Sequence, residues 1–238
     1  MIPAQNDDLK GSPRMISVVV PIHVMFPEVS QVRTAIQSAT TPLEVLLVVN
    51  ETLEHNISPI THNEKIILTN KIGRGNVLAQ GARNASGDII IFVHADTILP
   101  KNWDCAVIQA LANEKVIGGG FSLVMDEASA YLKFLIALSD FLFHFTHELW
   151  GDRALFVRSS FVKQHVADLE IPMNEDIRLT AMMKKNGRVV LLKETVITSA
   201  ATFRKYGLFH NTVRILLVRL WYGVGRDPQK IYEYYYNR

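Results

Sequence analysis

Four stretches of this chain are apolar almost throughout: "ISVVVPI" from Ile16 to Ile22, "EVLLVVN" from Glu44 to Asn50, "KIILTN" from Lys65 to Asn70 and "DIIIFVHAD" from Asp88 to Asp96. A strand with one wet face alternates apolar and polar residues, whereas a strand without alternation is covered on both faces. Segments with helical spacing lie between them, such as "PEVSQVRTAIQSA" with Val29, Val32, Ala35 and Ile36, and the small-residue stretch after "GRG". Strands that alternate with helices predict an α/β fold, a mainly parallel central sheet with helices on both faces. In such sheets ligands sit at the carboxyl ends of the strands, near a reversal of strand order. That rule gathers Pro21, Ile22 and His23, then Asn50 and Glu51, then His94, Ala95 and Asp96 around one crevice.

The second half is less regular. "NWDCAVIQALAN" reads as a helix, "KVIGGGFSLVMD" as a strand, "ALFVR" as a short strand, and "RVVLLKETVITSA" as one strand or two. "NEDIRLTAMMKKNG" predicts a helix with Asn174 as N-cap and Gly187 as its stop. "LFHNTVRILLVRLWYGVG" and "DPQKIYEYYYN" predict closing helices. No repeat or linker separates independent domains, and residues 1–14 read as a flexible N-terminal tail without the order of a signal peptide.

Composition narrows the function classes. A net charge of +2 argues against nucleic-acid binding by the whole chain. Cys105 is the single cysteine, which excludes an intrachain disulfide and CxxC metal sites; its setting predicts a small core residue rather than a nucleophile. "YLKFLIALSDFLFHFTHELW" is interrupted by Lys133, Asp140, His144 and His147, so a buried or surface-docked helix is expected instead of a membrane span, with a cytoplasmic address. From Arg204 onward the bases outnumber Asp227 and Glu233 and are interleaved with Trp221, Tyr222 and Tyr234 to Tyr236. Such helices either cover a core or contact the inner face of a membrane.

Several side chains suit chemistry. Asp96 either caps a turn at the end of its strand or offers a hard oxygen to Mg²⁺ or Mn²⁺ shared with phosphates. Arg74, at a glycine-rich helix start, either marks a turn or meets a diphosphate. Glu175 and Asp176 either serve the helix dipole, which favours their ionised forms, or supply a general base with one of the pair in the crevice and the other outside. Gly151-Asp152-Arg153 is either a turn with an ion pair or a substrate loop. His144, His147 and Glu148 have metal-compatible spacing, but their aromatic surroundings favour a packed helix face. No Gly-x-Ser-x-Gly elbow supports a serine hydrolase.

The order "ISVVVPI … EVLLVVN … GRGNVLAQGARNASGDIIIFVHADTILP … GDRALFVRSSF … NEDIRLTAMMKKNGRVVLLKE" resembles the family 2 glycosyltransferases of the GT-A fold. It is most similar to their short bacterial branch of radical-SAM/selenodomain-associated transferases, from about Ile16 to Tyr232. The resemblance implies a single GT-A domain over residues 15–238: a nucleotide-binding half (15–100), an acceptor-side half (101–200) and C-terminal helices (201–238). It implies a hexosyltransferase-like, inverting transfer of a sugar from a nucleotide-diphospho-sugar to an unidentified acceptor, for which the basic, aromatic C-terminus suggests a lipid-linked hydroxyl. Asp96 matches the last acid of the Asp-x-Asp motif, which holds the divalent metal, and Asp176, beside Glu175, matches the catalytic base. Pro21, Ile22, His23, Asn50 and Glu51 would border the nucleoside, with Arg74, His94 and Ala95 near the diphosphate. Gly151, Asp152 and Arg153 match a donor or acceptor loop.

The chain departs from the family in places. "NETLEHN" stands where Asp, Gly, Ser and a second Asp are usual, His94 stands at the first acid of Asp-x-Asp, Val77 and Ala79 replace Gln and Asn, and Arg153 replaces Gln. "SAATFRKYG" lacks the branch's Arg-Arg-Trp. Two further readings therefore stand beside the enzyme: a non-catalytic nucleotide- or sugar-binding protein that keeps the fold, and a sugar-phosphate nucleotidyltransferase, whose glycine- and lysine-rich N-terminal signature is missing.

Overall fold

The computed structural model describes residues 15–22, 33–34, 36, 38–51, 59, 61–127 and 129–236. Strands β1 (Ile16–Ile22), β2 (Leu43–Asn50) and β3 (Glu64–Thr69) come first, followed by helix α1 (Arg74–Asn84) and β4 (Ile89–Phe92). Next come α2 (Trp103–Leu111), β5 (Val116–Met125), α3 (Ala130–Thr146), a 3₁₀ turn (Gly151–Arg153), β6 (Phe156–Arg158) and α4 (Ser159–Gln164). After a second 3₁₀ turn (Val166–Leu169), α5 (Glu175–Asn186), β7 (Arg188–Thr198), α6 (Ala201–Tyr206), α7 (Leu208–Gly223) and α8 (Pro228–Tyr236) close the chain. The helix expected over residues 27–39 falls largely outside the described residues; Arg33, Thr34 and Ile36 are helical.

The strands form one sheet in the order β3-β2-β1-β4-β6-β5-β7. Pairs β2–β3, β1–β2, β1–β4 and β5–β7 are parallel, and only β6 runs antiparallel to its neighbours β4 and β5. β4 and β5 therefore point the same way, and the start of β6 meets the carboxyl ends of the others. Strand order reverses between β1 and β4, which opens the crevice at that edge. β7 is one strand with an irregularity opposite Phe121 and Ser122, which settles the choice between one strand and two.

Both faces are covered, as unbroken apolar strands require. Val18, Val20, Leu47 and Ile91 pack with Trp103, Val107 and Leu111 of α2. Val19, Leu46, Val48 and Ile90 pack with Val77, Leu78 and Ala82 of α1 and with Leu179 and Met183 of α5. Alternate residues of one strand thus enter opposite cores. Cys105 is exposed, contrary to expectation. α2 turns Trp103, Asp104, Val107 and Leu111 inward, and helical geometry places residue 105 away from that face. α3 buries only Leu132, Ser139 and Phe143, and His144 and His147, though exposed, set their rings against Phe143 at 6.4 and 5.5 Å between centroids.

β4 is shorter than its apolar run. Its pairing stops at Phe92, Val93 N–H donates to the Val19 carbonyl at 3.0 Å, and the chain turns with Thr97 N–H on the His94 carbonyl at 3.0 Å. His94, Ala95 and Asp96 belong to that turn and not to the strand.

Candidate active site

The Gly-Arg-Gly segment is shaped by close approach. Gly73 takes φ +97°, in the region that favours glycine, and a Cβ there would lie 2.4 Å from the Pro172 Cα. A Cβ on Gly75 would lie 2.3 Å from the Ile171 carbonyl oxygen. The start of α1 therefore presses directly on the segment leading to α5, and Arg74 N–H donates to the Pro172 carbonyl at 3.0 Å. The two glycines deliver Arg74 to the acid pair.

Arg74 organises the cluster. Its Nε donates to Glu175 Oε1 in a tight ion pair, its Nη2 lies 3.6 Å from Asp176 Oδ2, and its Nη1 lies 3.4 Å from His94 Nε2. Although burial opposes it, the charges of Glu175, Asp176 and Asp152 push the guanidinium pKa upward. Arginine carries no acceptor, so the contact assigns Nε2 of His94 as the unprotonated nitrogen and leaves the proton on Nδ1, 3.4 Å from Asp152 Oδ1. Burial, then Arg74, holds the imidazole below its ordinary value, so it is neutral at neutral pH. Arg74 thus meets two acids and a histidine.

Glu175 and Asp176 are both buried, at 2% and 9% exposure, and both face Arg74. This replaces the expectation that one would stay outside: a planar guanidinium reaches two carboxylates at once. Burial raises the Glu175 carboxyl above the usual range despite the pull of Arg74, and Oε2 has no hydrogen-bond partner. Asp176 Oδ2 accepts from Gly151 N–H at 2.9 Å, and Oδ1 accepts from Ile177 N–H at 2.8 Å. Asn174 occupies the N-cap position with φ 66° but makes no side-chain cap; its Nδ2 is buried without a partner.

Gly151, Asp152 and Arg153 divide between two roles. Gly151 holds Asp176, and a Cβ on it would lie 3.0 Å from Arg74 Nη2, so the loop lies flat on the guanidinium. Asp152 faces His94. Arg153 turns into the core, donating to the Phe121 carbonyl, to Ser139 Oγ and to Asp140 Oδ1 at 3.3, 3.1 and 2.6 Å. It braces α3 against β5 and does not join the cluster.

Asp96 lies exposed at the rim beside His94 and Asp152. Partial desolvation and the negative charge of Asp152 hold its carboxyl above the usual range, against the pull of His94. Among the described residues no group of three or more His, Cys, Asp or Glu side chains forms a metal cage. One accessible carboxylate in an acidic neighbourhood suits a divalent cation that takes its remaining ligands from phosphate oxygens and water. The donor set fits Mg²⁺ or Mn²⁺ on those terms.

The other predicted residues form the neighbouring rim. Pro21 and Ile22 end β1 opposite Val48 and Val49 of β2. Asn50 Nδ2 donates to the Lys71 carbonyl at 3.2 Å, and Glu51 N–H donates to the Thr69 carbonyl at 2.8 Å, which ties this rim to the segment before Arg74. Ala95 is partly exposed on the turn, and His23 lies outside the described residues. Sequence reasoning missed Tyr235 and Tyr236 of α8, which lie within electrostatic reach of Arg74. It also missed the apolar backing of Leu78, Phe92, Leu155 and Leu179 around a void of ≈ 10 Å³ behind the acids. Aromatic density at the C-terminus was the only available signal.

The family profile of glycosyl transferase family 2 matches residues 17–161, from β1 through β6. No curated protein matches the sequence. Among solved structures, S. aureus TarS 1-349 in complex with UDP-GlcNAc is 15% identical with a TM-score of 0.56, over 77% of this chain and 58% of that one. The same protein in complex with UDP gives 13% identity and a TM-score of 0.58, over 87% and 65%. The longer S. aureus TarS gives 12% and 0.53, over 87% and 39%. The chain therefore spans less than two thirds of the length of these proteins. The likeness establishes a shared GT-A fold, and with more than half of its residues inside the family profile the chain belongs to glycosyl transferase family 2.

Proposed function

We propose that the chain is an inverting glycosyltransferase, moving a sugar from a nucleoside-diphosphate donor to a hydroxyl acceptor. The observation that carries this reading is the convergence of Asp176, Gly151, Arg74 and His94 beside Asp96 at the carboxyl edge of the sheet. In this scheme Asp176 removes the acceptor hydroxyl proton as the oxygen attacks the anomeric carbon, and the carbon–oxygen bond to the diphosphate breaks with its electron pair leaving on phosphate. The N–H groups of Gly151 and Ile177 fix the orientation of the carboxylate before the acceptor arrives. Glu175 anchors Arg74, which positions Asp176, so Glu175 is a positioning residue. Asp96 would hold Mg²⁺ or Mn²⁺, which supplies charge neutralisation to the departing diphosphate.

Membership in the radical-SAM-associated branch and a hexosyl donor remain part of this reading, supported by "FVHADT", "GDRALFVR" and "NEDIRL". A lipid-linked acceptor at the cytoplasmic face of a membrane is its acceptor-side counterpart, supported by the basic, aromatic C-terminus. Structures of TarS hold UDP-GlcNAc and UDP, so uridine nucleotides are the first donors to test. A second reading, binding without catalysis, draws on Asn50, which brings no charge to the nucleoside rim and is engaged by Lys71.

Melting temperature in the presence of UDP and Mn²⁺ tests the assignment. A metal-dependent rise that Asp96→Ala abolishes is expected, since a ligand bound to the folded state stabilises it. Donor hydrolysis or transfer should fall on the order of 10²–10⁴-fold in Asp176→Asn with little change in KM. Nucleotide binding without turnover in either protein would leave the binding reading in place of the enzyme.

A further inference from the structure

A helix on the surface of a globular protein ordinarily turns its apolar stripe inward and its charges outward. α3 and α7 do the reverse on their outer faces. α3 exposes Phe134, Leu138, Phe141, Leu142 and Phe145, the last of them 72% exposed. α7 exposes Phe209, Val213, Leu216 and Leu220, and Val224 follows just beyond its end, with Phe209 at 74%. Both sets recur every three or four residues, so each is a single stripe. The opposite faces hold the layer together: Leu132, Leu135 and Ile136 of α3 meet Leu208 and Ile215 of α7 in one cluster. Arg219 of α7 pairs with Glu148 just beyond α3 and stands over the Trp150 ring at 5.2 Å. Two helices joined through this inner cluster thus each present an apolar stripe outward, where scattered single residues would need no explanation.

The charge around these stripes is predominantly basic. α6 and α7 contain no Asp or Glu. Asp140 on α3 is tied to the buried Arg153, and Glu148 is tied to Arg219, so these acids are turned to internal cations. Asp126 and Glu127 pair with Arg204. Lys133, Lys205, Arg226 and Lys230 are exposed and outnumber the exposed Asp227 and Glu233, with Arg226 lying over Trp221 at 4.1 Å. No helix among the described residues is long and apolar enough to cross a membrane.

We propose that α3 and α7 form a docking face for an anionic lipid bilayer, with the phenylalanines and leucines in the acyl boundary and the basic rim on the headgroups. An apolar stripe with flanking cations and aromatic rings is the composition that interfacial helices use. A second copy of the chain is the weaker occupant, because a two-fold contact through this face would set like-charged rims against each other. The sequence placed membrane contact on the C-terminal helices alone; the structure adds α3 as an equal partner.

The test uses the full chain and is read without donor or acceptor, so its outcome is independent of the transferase reading. Flotation with vesicles of equal parts phosphatidylglycerol and phosphatidylcholine should carry the protein upward, and pure phosphatidylcholine should carry much less. The double variant Phe145→Ser with Leu216→Ser should lower vesicle affinity at least about tenfold. Both positions are exposed, and an unchanged melting curve certifies the fold. Lys205→Glu with Arg226→Glu keeps the stripes and should weaken binding to anionic vesicles selectively, an effect that added salt reproduces in the parent protein. Absence of flotation, undiminished binding by both variants, or a dimer in sedimentation that buries Phe145 without any lipid affinity would each overturn the proposal.

Discussion

Two regions bury acids against this sheet and satisfy them in opposite ways. At the start of α2, Asp104 Oδ2 accepts from the N–H and hydroxyl groups of Thr40 and Thr41 at 2.8 to 3.1 Å. Burial pushes its carboxyl up, but those hydrogen bonds prevail and leave it below the usual range. At the start of α5, burial prevails and leaves Glu175 above it, because one guanidinium serves Glu175, Asp176 and the contact with His94 together. Asp104 and Glu175 each keep one oxygen without a partner, Oδ1 and Oε2. The difference lies in the donors: Asp104 has several neutral ones to itself, whereas the acids of α5 share a cation. The first arrangement fastens a helix to the sheet. The second leaves two acids and a histidine dependent on one cation, the kind of arrangement that perturbs pKa values.

The strongest way to break this contrast is Arg74→Ala. Removing the shared cation leaves Glu175 buried without its counter-charge, so unfolding free energy in urea should drop by about 3–5 kcal/mol. Arg74→Lys should recover only part of the loss, since an ammonium lacks the fork that spans both acids. Gly75→Ala comes next. Its Cβ would meet the Ile171 carbonyl oxygen at 2.3 Å, so a cost of about 1–3 kcal/mol is expected, together with lower activity as Arg74 is displaced from Asp176. Asp104→Ala should also cost about 1–3 kcal/mol, yet leave nucleotide binding per folded molecule unchanged. Equal damage to binding would erase the distinction between the two regions.

The smallest effect is a difference in sign with pH. The folded pKa of Asp104 is depressed, so its stabilisation is present above the unfolded value of about 3.8 and is lost as pH falls through the folded value. The folded pKa of Glu175 is raised, so native protein keeps that proton longer, and stability falls as pH rises above about 4.5 through the folded value. Each slope is limited to about 1.4 kcal/mol per pH unit for one proton. Paired urea titrations of Asp104→Asn and Glu175→Gln against the parent protein should therefore deviate in opposite directions. Deviation in the same direction would show that the two carboxyls share one environment.

Much of the fold was legible because unbroken runs such as "EVLLVVN" admit few environments other than a strand covered on both faces, and β2 is buried along nearly its whole length. The acid pair was legible too, as a choice between helix-dipole residues and a base. Errors arose where a neighbour distant in sequence set the outcome. Cys105 looked like a core residue until the sheet fixed which face of α2 turns inward. Arg153 looked like part of a donor or acceptor loop, but Asp140 and Ser139 on α3 draw its side chain inside. Asn174 occupies the predicted cap position in a left-handed conformation that makes no cap, and the next residue, Glu175, pairs with Arg74, 101 positions away in sequence.

The sequence by itself determined the alternation of strands and helices and the mainly parallel sheet, since periodicity and branched side chains act locally along the chain. It also supplied the chemical types at the carboxyl edge of that sheet: Asp96, Arg74, Glu175, Asp176, Asp152. Only the tertiary structure decided that Arg74 would engage both acids of α5, that His94 would bridge Arg74 and Asp152, and that α3 and α7 would turn phenylalanines outward. Those outcomes depend on contacts between residues far apart in sequence, Arg74 with Glu175 and Glu148 with Arg219 among them, and no local pattern encodes them.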